Sequence, residues 1–199
     1  TKVGDNFGHL TGLDPRTGIQ KWTFFSGVAS SMGTPLYDRG NLYWVAGDGG
    51  VWAIDAERGK RVDSFLDDNN QPRLKLGGFN AISAPNIFAE KGGRSLMLVG
   101  TAMPNKISAI ELESAQVAWT QPFSGINTYL TGFAATSVAI DRQRGLAIGS
   151  VLVDADVAGN TVNILAFALD ARSGDIVWTQ TIGGGKIPAG FVAPTPVIA

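Results

Sequence analysis

Four acids recur in this chain in nearly the same company. "ALDARSGDIVW" (168–178) sets a small residue, an acid, a Ser-Gly turn and a Trp close together, and "GLDPRTGIQKW" (12–22), "AIDAERGKRVD" (53–63) and "AIELESAQVAW" (109–119) follow the same plan. A carboxylate and an indole at this spacing have two chemical uses. They can grip a ligand, the acid accepting hydrogen bonds and the indole forming a flat floor. Alternatively, the acid caps a tight turn and the indole glues one sheet to the next. A ligand seldom needs one constellation in every repeat, so the second use is the expected one.

Other reactive-looking stretches fail on their own chemistry. "DADVAG" (154–159) has acids at loop positions one and three and Gly at six, as an EF-hand does, but Ala158 and Leu165 occupy positions that must chelate. It reads as a solvated loop insertion. "GGGK" (183–186) lacks the spacing and the following helix of a phosphate loop. The chain has no Cys, so a disulfide and a thiolate nucleophile are excluded, and with His9 standing alone a zinc site is not expected. No Gly-x-Ser-x-Gly occurs, and no Ser–His–Asp set can be assembled. No metal site is expected from these residues. Trp44 and Trp52 are expected to pack against each other across adjacent strands.

The composition narrows the partners. Of 199 residues, 44% are hydrophobic and 17% charged, with a net charge of −1, so a nucleic acid or an anionic membrane has no electrostatic pull on the chain. No apolar run reaches the length of a membrane span. The chain opens on "TKVGDNFGHLTGLD" and closes on "VAPTPVIA", both in mid-pattern, which suggests an excerpt of a longer protein.

The elements that must carry these motifs are short strands. Segments rich in Val, Ile, Leu, Trp and Phe alternate with joints such as "YDRGN", "AGDGG", "AEKGGR" and "DRQRG". No stretch sustains helical spacing with a cap. Each repeat therefore reads as a four-stranded antiparallel meander, and tandem meanders hide their faces by stacking radially into a β-propeller. Lettered outward from the central channel, strand A is expected at 34–38, 82–89, 134–140 and 193–198. Strand B falls at 41–46, 95–100 and 145–150, strand C at 8–14, 51–55, 107–111 and 162–169, and strand D at 19–25, 60–66, 116–121 and 175–181. The fold class is all-β. One propeller domain is expected over 1–199: a partial blade at 1–25, blades at 33–66, 82–121 and 133–181, and the start of another at 193–199. Such an arc leaves edges and faces for further blades.

Within the motif, Asp14, Asp55 and Asp170 should accept hydrogen bonds from backbone N–H groups two residues on. Gly18, Gly59 and Gly174 should supply positive φ, and Gly12, Ala53, Ala109 and Ala168 should make room for a neighbouring blade's Trp. Two copies depart. Asp63 replaces Trp in the second, so that contact should be missing or replaced. Glu111 and Ala115 replace Asp and Gly in the third, so a differently shaped turn is expected at 112–115.

"GLDPRTGIQKW" and "ALDARSGDIVW" resemble the tryptophan-docking motif of the quinoprotein (PQQ-type) β-propeller family, over nearly the whole chain. That family holds PQQ-dependent alcohol and sugar dehydrogenases and cofactor-free relatives that act as scaffolds in outer-membrane protein assembly. The resemblance implies a periplasmic or extracellular protein with a ligand at the channel mouth. If PQQ and Ca²⁺ bind, Arg73, Lys75 and Lys186 are the candidate cations, Asn80 and Asn127 the oxygen donors, and Tyr129 the stacking surface. Asp67 and Asp68 are the acids available as a base, and the vicinal Cys pair of several family dehydrogenases is absent. The reading favoured is a non-catalytic propeller presenting loops to a protein or small-molecule ligand. The alternative is part of a PQQ- and Ca²⁺-dependent alcohol or sugar dehydrogenase.

Overall fold

The computed structural model describes residues 7–29, 33–77, 83–90, 93–101, 105–123, 137–156 and 161–186. Their regular elements are strands, with a single 3₁₀ turn at Asp63–Phe65. β1 (Phe7–Leu13) and β2 (Gln20–Ala29) form a hairpin. A second sheet runs β3 (Leu36–Asp38), β4 (Asn41–Val45), β5 (Gly50–Asp55) and β6 (Leu74–Lys75). A third runs β7 (Asn86–Ala89), β8 (Ser95–Thr101), β9 (Lys106–Glu111) and β10 (Gln116–Pro122). The fourth runs β11 (Ala139–Asp141), β12 (Leu146–Asp156), β13 (Thr161–Asp170) and β14 (Ile176–Lys186). Every pairing is antiparallel and joins strands consecutive in the chain, so each full sheet is a meander.

Three hydrophobic clusters bind the four sheets, one at each junction. Phe24, Trp44, Trp52 and Ile54 join the first sheet to the second. Tyr43, Val45, Phe65, Met97 and Ile110 join the second to the third, and Phe88, Leu98, Phe123, Val151 and Phe167 join the third to the fourth. This stacking explains why β8 reads "SLMLVGT" without alternation. It is buried at every position because a sheet covers each of its faces. The arrangement is that of consecutive blades of a β-propeller. Trp44 and Trp52 are direct cross-strand partners, both almost wholly buried, as expected from the sequence.

One expected strand is broken. Strand D of the second sheet is expected at 60–66, but within it only Arg61 bridges β5, at Ile54, while Leu66 bridges Pro72. The chain then leaves the sheet through the 3₁₀ turn, doubles back through a turn at 67–71, and rejoins β5 only at Leu74–Lys75. The cause is local. Asp63 cannot cover an apolar neighbour as Trp would, and the "DDNN" run favours side-chain-to-backbone turns over a ladder. Phe65 drops inward instead, fully buried, with its ring centroid 5.4 Å from that of Tyr43.

The acids of "DADVAG" also sit differently from expectation. β12 extends to Asp156, so much of the supposed loop is strand, and only 157–160 separate it from β13.

Candidate functional site

The recurring acids close turns. Asp55 Oδ1 accepts from the backbone N–H groups of Glu57 (3.0 Å) and Arg58 (2.7 Å). Asp14 does the same with Arg16 and Thr17, and Asp170 with Arg172 and Ser173. The N–H bonds, led by that from Arg58 in one turn and from Arg16 in the other, hold the Asp55 and Asp14 carboxyls below their ordinary value of 3.8. Asp141, in the β11–β12 turn, repeats the pattern with Gln143 and Arg144. There the Arg144 side chain is the main cause of a lowered pKa.

The indoles reach the next sheet. Trp22 Nε1 donates to the carbonyl of Ala56 (3.1 Å), and Trp119 Nε1 to that of Ala171 (3.2 Å). In both cases the acceptor is the residue after the motif acid of the following sheet. The flat of each ring lies on the turn glycine. A methyl group built on Gly59 would come within 2.5 Å of Trp22, and one on Gly174 within 2.5 Å of Trp119. The small residue that opens the motif has a different task from the one expected. Gly12 faces Trp22, Ala109 faces Trp119 and Ala168 faces Trp178 across the ladder of the same sheet. It clears space for its own sheet's indole, while the turn glycine clears space for the neighbour's. Trp178, on the last described strand, is 42% exposed.

The two irregular copies meet at one junction. The second sheet has no Trp to send, and the third sheet's turn has Ala115 where the others have Gly. That turn keeps the common backbone, with the Ala115 N–H donating to the Glu111 carbonyl and Ala115 itself at φ 52°. The expected change of shape does not occur; only the acid's role changes. Glu111 accepts from the Ser114 hydroxyl and pairs with Arg94. Phe65 and Ala115 belong to the same buried cluster, so a phenyl ring and a methyl group fill the volume of an indole and a bare glycine. An ion pair is added: Arg39, in the β3–β4 turn, binds Glu113 at 2.6 Å. At the next junction Glu90 and Arg172 make the same connection with the charges exchanged, at 3.2 Å. The paired departure of Asp63 and Ala115 is the sequence signal that marked this junction; nothing comparable announced the ion pairs.

The candidate cofactor residues fall as follows. Lys75 pairs with Gly50 on β6, and Lys186 with Thr161 on β14, each on the outermost strand of its sheet, with the third sheet between them. Arg73 lies in the excursion before β6 and donates to the Ser64 carbonyl. Asn80, Asn127 and Tyr129 lie outside the described residues. Asp67 accepts from the N–H groups of Asn69 and Gln71 and is engaged in its turn. Among the described residues no three His, Cys, Asp or Glu side chains come together as a metal site. His9 lies opposite Phe25 across the first hairpin, their ring centroids 5.9 Å apart. The three glycines of "GGGK" lie within β14 rather than ahead of a helix.

Comparison with known proteins agrees with this architecture. The family model described as outer membrane protein assembly factor BamB matches residues 2–192. Tetrathionate hydrolase of Acidithiobacillus ferrooxidans is 26% identical over 199 residues, 97% of this chain and 35% of that protein. Outer membrane protein assembly factor BamB of Yersinia pestis is 32% identical over 112 residues, 56% of this chain and 24% of that protein. The chain thus spans about a third or less of the curated relatives it matches. Among solved structures, BamB of Moraxella catarrhalis superposes with a TM-score of 0.57 at 17% identity, covering 88% of this chain and 44% of that one. The quinohemoprotein alcohol dehydrogenase of Comamonas testosteroni superposes with a TM-score of 0.59 at 17% identity, covering 90% of this chain and 33% of that one. A europium-containing methanol dehydrogenase gives 0.58 at 15%, covering 86% and 38%.

Proposed function

We propose that this chain, which belongs to the family described as outer membrane protein assembly factor BamB, is part of an extracytoplasmic propeller that presents loops to a protein partner without catalysing a reaction. One observation carries the reading. The repeated acids and indoles are engaged in turns and sheet junctions, as a tryptophan-docking motif would engage them, so the repeat builds a platform and leaves recognition to the connecting loops. A rigid stack of sheets with variable loops at one end is a suitable frame for a protein interface. The extracytoplasmic placement follows from the assembly-factor relatives.

A second reading has its own support: the stack superposes on quinoprotein dehydrogenases over most of its length. In that case bound PQQ would supply the two-electron oxidation of an alcohol or sugar, and Ca²⁺ would polarise it. On this reading Arg73 and Lys75 of the second sheet and Lys186 of the fourth remain the candidate cations, since a channel-mouth site draws on several sheets.

The experiment uses the full-length protein. A photo-crosslinker placed at Asp48, in the β4–β5 turn, is expected to capture a protein of the outer-membrane assembly machinery. Dye reduction with alcohols or sugars in the presence of PQQ and Ca²⁺ would overturn the proposal in favour of the dehydrogenase. Consumption of added tetrathionate would overturn it in favour of a hydrolase like the Acidithiobacillus relative.

A further inference from the structure

The break in the second sheet's outer strand leaves a cleft. It measures about 490 Å³ and lies between β2 of the first sheet and the 59–70 segment, at the junction of the first and second sheets. Phe24 and Leu66 give it an apolar base, and Phe25, 63% exposed, stands along one side. Lys60, Arg61 and Asp63 line it as well.

Lys60 and Arg61 have no carboxylate within ion-pair distance among the described residues, although Asp63 shares the cleft; Arg16, Arg73, Lys75, Lys106, Arg142 and Lys186 also stand outside the ion pairs. What sets this cleft apart from an ordinary groove between strands is how Arg61 is held. Its guanidinium stacks over the Trp52 ring at 5.3 Å and donates to the Asn70 carbonyl at 2.7 Å. The stack and the carbonyl fix the group's place without neutralising it. A planar, weakly hydrated cation held in this way keeps donors for a carboxylate. The excursion that creates the cleft also breaks the regular outer strand seen in the other sheets, and local rules are most often broken where a site is being made.

We propose that this cleft binds a carboxylate attached to an apolar body, with Arg61 and Lys60 holding the anion and Phe24, Phe25 and Leu66 covering the apolar part. Asp63 turns away dianions and favours a single negative charge. The same chemistry is offered by a free organic acid and by the C-terminus of a peptide ending in an apolar residue. The site is distinct from the β4–β5 turn probed for partner binding, and a small-molecule titration reads it without reference to that partner.

The test is titration of the ¹⁵N-labelled full-length protein with three probes: 4-phenylbutyrate, acetyl-Ala-Phe with a free carboxylate, and acetyl-Ala-Phe amide. Acid probes are expected to bind with dissociation constants of about 0.1–1 mM, a range suited to a shallow, open site. Amide shifts should concentrate at 23–25 and 59–70. The amide probe should bind at least fivefold more weakly than its acid, and the stronger of the two acid probes indicates the natural source. Lys60→Gln should weaken acid binding about threefold, Lys60→Arg should retain it, and Arg61→Gln should weaken it about tenfold. Lys60 is exposed, so its variants report even if Arg61→Gln disturbs the stack on Trp52. Equal binding of acid and amide, or shifts centred elsewhere, would overturn the proposal.

Discussion

Trp119 and Ala171 are 52 residues apart in sequence, yet the indole N–H of one meets the carbonyl of the other at 3.2 Å, across the boundary between two sheets. The bond is specific because three features of the receiving turn cooperate. Asp170 ties up the amides of Arg172 and Ser173, Ala171 is left with its carbonyl turned outward, and Gly174 has no side chain to lift the ring away. Trp22, Ala56 and Gly59 repeat the arrangement two junctions earlier.

Glycine at the two occupied turns is therefore under a double constraint, and at the first turn under a single one. Gly174 and Gly18 both have positive φ, but only Gly174 lies under an indole; nothing stands within 4 Å of the place where a Gly18 methyl would go. Gly18→Ala is expected to cost about 1–2 kcal/mol from backbone strain alone. Gly174→Ala adds a steric overlap of about 1–3 kcal/mol. Urea denaturation of the two variants should show the difference, and equal losses would place the indole somewhere other than on Gly174.

The Arg39–Glu113 pair should be modest in strength and specific in sign. Both side chains are well exposed, so solvent screens them, and a double-mutant cycle with Arg39→Ala and Glu113→Ala should give about 0.2–1 kcal/mol of coupling. Exchanging the charges, Arg39→Glu with Glu113→Arg, should recover most of what either reversal loses, because Glu90 and Arg172 use that polarity at the next junction. Failure of the exchange to recover stability would mean the pair is incidental.

Acid should loosen the turns before it affects the core. Asp14, Asp55 and Asp141 have lowered pKa values in the folded chain. Their ionised forms therefore favour the native state at and above the ordinary carboxylate range, and this support is lost as pH falls through the folded values, below 3.8. Asp55→Asn should be less stable than the parent at pH 7, and the gap should close as pH falls below the ordinary carboxyl value of 3.8. A constant gap from pH 7 to pH 2.5 would show that ionisation of Asp55 contributes nothing.

Much of this architecture can be read from residue order, because each blade restates it. The acid, the Gly and the Trp occur at fixed offsets, and short-range turn chemistry determines their conformation. Reading failed where the outcome depended on a neighbour in space. The small residue opening each motif was assigned to the adjacent sheet's Trp, whereas the ladder sets it opposite its own. Ala115 was expected to reshape its turn, yet burial in the Phe65 cluster keeps it at φ 52°, against its own preference. The excursion after Arg61 reads as strand from order alone because "KRVDSFL" occupies the place of strand D in the repeat. What decided otherwise was a Trp missing at position 63 and a Phe two residues on that could fill the gap. The candidate cofactor cations have no such local pattern, so the placing of Arg73 before β6, Lys75 on β6 and Lys186 at the end of β14 is not legible from spacing.

The central claim, that these indoles hold sheet to sheet, is tested most directly by comparing Trp119→Ala with Trp178→Ala in the 199-residue chain by equilibrium denaturation. Trp119 is half-buried against the Ala171 turn, and its removal is expected to cost about 2–3 kcal/mol, somewhat less than a fully buried Trp. Trp178 is exposed, with no following sheet against it among the described residues, and its removal should cost less than about 1 kcal/mol. Losses of equal size, or a Trp119→Ala variant as stable as the parent, would contradict the account.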